Sequence, residues 1–99
     1  MARFDAYPNP SGPGFLLDVQ ADLMSHFNTR LVIPLLPLTV APKPASTLNP
    51  VFELDGCPHS LVTQYMAAVS VTMLRQPVAN LAGQRGEIVA AIDLLLQGF

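Results

Sequence analysis

Cys57 and His59 stand two residues apart, the spacing that puts both side chains on one face of a regular strand. A thiol and an imidazole so placed could begin nucleophilic chemistry. That chemistry needs their tips to converge and a third group to orient the base. No orienting residue is evident nearby, so the pair reads as a small apolar cysteine and a turn-proximal histidine beside Pro58. His26, Asp55, Cys57 and His59 lack a ligand spacing such as paired CxxC or HExxH, and no metal or other cofactor is expected. Gly12-Pro13-Gly14 follows neither the dinucleotide nor the Walker pattern, and its proline deletes an amide that a phosphate would need. Asp18 and Asp22 lie four apart, but a carboxylate pair for acid/base work needs supporting neighbours that the sequence does not show. They read as solvated acids at a strand end or turn. No catalytic residue is assigned, and binding is expected rather than an enzyme's chemistry.

The 99 residues suffice for one domain spanning 1–99. Hydrophobic residues make up 51% and charged residues 12%, about half the charged share of a typical soluble domain. That composition excludes intrinsic disorder. The net charge is −2, and the five basic residues, Arg3, Arg30, Lys43, Arg75 and Arg85, are scattered along the chain. Neither fact suits direct nucleic-acid binding, which concentrates Lys and Arg into a patch. Membrane binding is not expected either. The longest apolar run, 31–38, is too short to span a bilayer and is interrupted by Pro34 and Pro37. Residues 1–5 lack the apolar core of a secretory signal, and a lone Cys57 forms no internal disulfide, so a reducing cytoplasmic compartment is expected. So few charges cannot cover the surface, which predicts exposed apolar area and a homo-oligomer, most simply a twofold dimer.

The elements that must carry these residues are short. Strands are expected over 3–7, 15–20 and 30–36, the last at a sheet edge or end because Pro34 removes a ladder donor. Residues 37–50 hold four prolines and read as a long stiffened loop. Val51–Leu54, Asp55-Gly56 and 60–65 read as a hairpin, Asp-Gly being its turn signal. The alternation of Val69, Val71 and Met73 predicts a strand over 68–74. Ile88, Ala91, Ile92 and Leu95 mark the buried stripe of a helix over 87–96, with Gly98 suited to its end. Leu94, Leu95 and Leu96 point three ways, more than one sheet can cover, so part of that turn is expected to meet a second chain. Five or six strands and one helix suggest a mainly β (α+β) fold, a bent antiparallel sheet or SH3-like barrel with an appended helix.

Three stretches then stand out together: Leu17-Asp18-Val19-Gln20-Ala21-Asp22-Leu23; Asn28-Thr29-Arg30-Leu31-Val32-Ile33-Pro34-Leu35; and a C-terminal segment from Glu87 to Gln97-Gly98-Phe99. With Thr63-Gln64-Tyr65-Met66-Ala67-Ala68-Val69 between them, they resemble the CcdB family of bacterial toxins over nearly the whole chain. The resemblance implies an SH3-like antiparallel barrel, a small additional sheet and one C-terminal helix, assembled as a homodimer. It implies the toxin of a type II toxin–antitoxin module. Such a toxin binds the DNA gyrase A subunit, traps the gyrase–cleaved DNA complex, and is neutralised by a cognate antitoxin with a disordered tail.

Carried over residue by residue, the resemblance places gyrase contacts at Gln97, Gly98 and Phe99, with Leu96 beside them. It adds the apolar residues Leu23 and Met24 and the polar Asp93 on the same helix face. Family members can carry Trp before the final glycine, where this chain has Gln97 and no Trp at all. The loops 9–15 and 41–46 are candidate rims for the antitoxin. Two alternatives are a MazF-like mRNA endonuclease on a related barrel, which would want a basic groove, and a degenerate homologue that binds only the antitoxin.

Overall fold

A computed structural model describes residues 2–24 and 26–98. Within them, seven strands form one antiparallel sheet: β1 (Asp5–Pro8), β2 (Phe15–Asp18), β3 (Thr29–Pro37), β4 (Val51–Leu54), β5 (Cys57–Leu61), β6 (Ala67–Ser70) and β7 (Ala79–Asn80). Their order is β4-β5-β3-β2-β1-β7, with β6 paired to the flank of β3. One helix, α1 (Arg85–Gln97), follows. The sheet curls into a half-barrel. Leu17, Ile33, Leu35, Phe52 and Leu61 meet Ile88 of α1 in the main core. The other face carries a smaller cluster of Tyr7, Leu16, Val32 and Leu74. This is the mainly β architecture with a terminal helix that the sequence suggests. The small additional sheet is the piece built on β6, joined through β3 rather than standing apart.

The β4–β5 hairpin has the two-residue turn expected of Asp-Gly. Leu54 pairs with Cys57, and Asp55 and Gly56 take φ of 54° and 75°. Its second arm starts earlier than expected, at Cys57, and residues Thr63–Tyr65 are a 3-10 turn. The strand expected over 68–74 ends at Ser70. There the Ser70 hydroxyl accepts from the Thr72 amide, and the chain bends into a second 3-10 turn, Val71–Met73. Alternation along the sequence continues past this point, but after one last bond from the Val71 N–H to the Asn28 carbonyl the Leu74 N–H turns back to Val71.

Two further expectations are corrected. β3 is the central strand, not an edge. Pro34 sits where its neighbour on one flank changes, since β6 pairs up to Val32 and β5 begins at Leu35. The Pro34 carbonyl accepts from the Val62 N–H, and the Val62 carbonyl, which a Pro34 N–H would have met, accepts from Tyr65 instead, so the missing donor leaves no partner unsatisfied. The helix stripe also ends early. Ile88 and Ala91 are buried and Ile92 half-buried, but Leu95 is exposed.

Gly14 closes the loop between β1 and β2. It takes φ of 91°, and a Cβ there would run into the Leu35 carbonyl of the central strand. Gly14→Ala therefore combines left-handed strain with a clash against backbone that cannot yield. It is expected to cost about 1–3 kcal/mol, read as a lower urea midpoint at unchanged m.

The loop 38–50 is tied down by Asn49, which is buried. Its Nδ2 donates to the Leu61 carbonyl and to Gln64 Oε1, and its Oδ1 accepts from the Ala45 amide. Thr63 Oγ1 adds a bond to the Leu48 carbonyl. Asn49→Ala strands these partners and is expected to cost about 1–3 kcal/mol. Limited proteolysis should then cut the loop first, near 42–46, where the chain is exposed.

Candidate functional site

The first part of the site is the crossing from β2 to β3. Asp18 ends β2 and is fully buried, not solvated as expected. Arg30, also fully buried, donates Nε to Asp18 Oδ2 at 2.9 Å, and its Nη2 lies 2.6 Å from the same oxygen. Burial pushes the Asp18 carboxyl above its ordinary range, against the pull of the Arg30 guanidinium and the Gln20 amide. Arg30 is thus withdrawn from the surface charge. Arg3 and Arg85 are not scattered in space: their guanidinium carbons lie 4.7 and 5.9 Å from the centre of the Phe4 ring.

Phe4 itself has φ of 71°, unusual for a bulky residue, and its N–H and carbonyl are held by Asp18 and Leu81. This left-handed step directs the Arg3 amide to Asp22 Oδ1 at 2.8 Å and Arg3 Nε to the Val19 carbonyl at 3.0 Å. Asp22 opens a 3-10 turn, Asp22–Met24, that buries none of its residues. Leu23 is 86% exposed and Met24 43% exposed. Phe27 and Leu31 extend this apolar exposure and were not singled out by sequence reasoning. Their visible signal is weak: Leu31 lies between Arg30 and Val32, both buried, so alternation turns it outward.

The second part is the end of α1. Asp93 is half-buried, Leu96 is 68% exposed, and Gln97 and Gly98 are exposed. Asp93, Leu96 and Gln97 share one side of the helix, at i, i+3 and i+4. Gly98 ends the helix in the left-handed conformation, φ 80° and ψ 11°, and its N–H donates to the Leu94 carbonyl. Phe99 lies outside the described residues. Leu23 and Met24 adjoin one another on the turn, and the helix residues form a second group on a separate element.

Around the former chemical candidates the geometry favours structure. His59 is buried against the Phe15 ring, with centroids 5.1 Å apart, while Cys57 is exposed at the hairpin turn. His59 Nδ1 contacts the Cys57 backbone carbonyl at 2.9 Å. A carbonyl only accepts, so Nδ1 is the donor, and the contact is to the Cys57 backbone rather than to its thiol. Asp22 and Asp18 diverge, one to the surface and one to the buried pair. Among the described residues, no three His, Cys, Asp or Glu side chains converge as a metal site would require. No helix among them is long and apolar enough to cross a membrane.

What the fold displays is apolar side chains at a braced turn and a helix end, an arrangement suited to meeting another protein. Comparison with protein-family models finds a match to the model described as CcdB protein, over residues 3–98. That match takes in β1 to β7, the braced turn and α1 as far as Gly98. The chain belongs to the CcdB family, the toxins of toxin–antitoxin modules.

Proposed function

We propose that this protein binds the DNA gyrase A subunit and traps gyrase on cleaved DNA, with a cognate antitoxin as its second partner. The observation that carries the reading is the exposure of Leu23 and Leu96, 86% and 68%, at two places where the family resemblance puts gyrase contacts. Large apolar side chains held in the open cost free energy in water and gain it on burial against a partner. The toxin does no covalent chemistry in this account. It binds one gyrase conformation better than the others, so the cleaved state accumulates by population shift.

The protein acts as a homodimer in the cytoplasm, as a single toxin domain over 1–99. The antitoxin's disordered tail folds on binding and covers the rims at 9–15 and 41–46. Residues 9–15 suit a fixed rim, because the Asn9 side chain closes the loop on Pro13 and Ser11.

Isothermal titration of the purified protein with the gyrase A subunit tests the reading. Saturable binding, lost when Leu23 and Leu96 are both changed to Ala, is expected. An active protein that degrades purified RNA and ignores gyrase would instead support the endonuclease alternative. Tight antitoxin binding without gyrase binding would support a degenerate homologue, whose motivation is Gln97 in place of a large aromatic.

A further inference from the structure

Asp18, Gln20 and Asp22 alternate along one segment of the family resemblance, and each is engaged differently. Asp18 is sealed in the ion pair with Arg30, and Asp22 accepts from the Arg3 amide. The Gln20 side chain ties the exposed turn to β3. Its Nε2 donates to the Met24 carbonyl at 2.9 Å, and its Oε1 accepts from the Leu31 amide at 3.0 Å. A backbone carbonyl only accepts and a backbone N–H only donates, so these contacts fix which end of the side-chain amide is which. The Gln20 backbone N–H donates to Asp18 Oδ1, and its carbonyl faces Arg30 Nη2 at 3.5 Å. One residue thus links the buried ion pair below to the turn above.

The turn needs such a link. It is three residues long and buries none of them, so no core contact fixes it, and short 3-10 turns have poor hydrogen-bond geometry of their own. We infer that Gln20 is a positioning residue for partner binding: it clamps the Asp22–Met24 turn to the start of β3 and presents Leu23 and Met24 in one orientation. The inference rests on the reading that Leu23 and Met24 meet gyrase. Its effect is pre-organisation, since a turn already ordered in the free protein loses less freedom on binding.

Two variants separate the two ends of the clamp. Gln20→Leu keeps the size and removes both bonds. Gln20→Glu keeps the acceptor for the Leu31 amide and sets a carboxylate against the Met24 carbonyl. Both should weaken binding to the gyrase A subunit about tenfold, equivalent to about 1.4 kcal/mol, with unfolding midpoints close to wild type. Hydrogen exchange at the Leu31 amide should quicken in Gln20→Leu and stay slow in Gln20→Glu. In a Leu23→Ala/Met24→Ala background, Gln20→Leu should cost no further affinity, because there is nothing left to position. Wild-type affinity in both single variants, or the same tenfold loss in that background, would overturn the inference. If the Leu23→Ala/Met24→Ala protein itself binds gyrase like wild type, the underlying reading fails, and the inference with it.

Discussion

Arg30→Met will destabilise the folded protein by about 3–5 kcal/mol, a large share of the stability of a domain this size. The reason is the company Arg30 keeps. It and Asp18 are both fully buried, and Nε and Nη2 both reach Asp18 Oδ2. Methionine fills much of the space but leaves the carboxylate without its cation. The double variant Asp18→Asn/Arg30→Met should recover most of the loss, since the asparagine oxygen can still accept from the Gln20 amide and no buried charge remains.

The pH dependence of Arg30→Met has a definite sign. Burial already raises the Asp18 pKa in the wild type, and loss of the guanidinium raises it further. The folded variant then holds a proton that the unfolded chain releases near pH 4, so its stability falls as pH rises from about 4 through the folded pKa. Urea midpoints from pH 4 to 8 check both statements. A single variant no less stable than the double would refute the buried-pair account.

Removal of residues 97–99 is expected to abolish growth inhibition while leaving the protein folded. Gln97 and Gly98 are exposed, and α1 is anchored by Ile88 and Ala91, more than one turn earlier. The deletion takes away the Gly98 cap on the Leu94 carbonyl, a local effect. Stability should change by about 1 kcal/mol or less. Partner contact should change far more, because Gln97 adjoins the exposed Leu96 and truncating an interface anchor commonly costs at least about 2 kcal/mol. The check is colony formation under induction, compared with denaturant midpoint and antitoxin binding of the same variant. Full toxicity after the deletion would remove the helix end from the site.

The elements legible in the sequence are those with a local chemical cause. Asp55-Gly56 accepts positive φ at both turn positions, so the hairpin could be read directly. The helix was legible from its apolar period, and the long loop from its prolines. What escaped depends on partners distant in sequence. The two-residue β7 exists because Ala79 and Asn80 find Ala6 and Asp5 of β1. Asp18 looked like a turn acid because the residue that buries it, Arg30, comes twelve positions later. Val71 and Met73 kept the strand alternation while the Leu74 amide bonded back to Val71, making a turn instead.

The candidate site divides in the same way. Leu23, Met24, Asp93, Leu96, Gln97, Gly98 and Phe99 came from the family resemblance, and no periodicity singles out Leu23. The brace beneath them is side chain to backbone: Gln20 reaches Met24 four residues on, but its other end at Leu31 and the Arg3 bond to Val19 each span ten or more residues. No spacing rule announces such a contact.

The most direct test of the central claim is a cleavage assay. Purified protein is mixed with gyrase, ATP and supercoiled plasmid, and the reaction is quenched with detergent and protease. The account predicts linear DNA that requires both gyrase and this protein, and that disappears when residues 97–99 are removed. Fully active gyrase, folded protein and no linear product would contradict it.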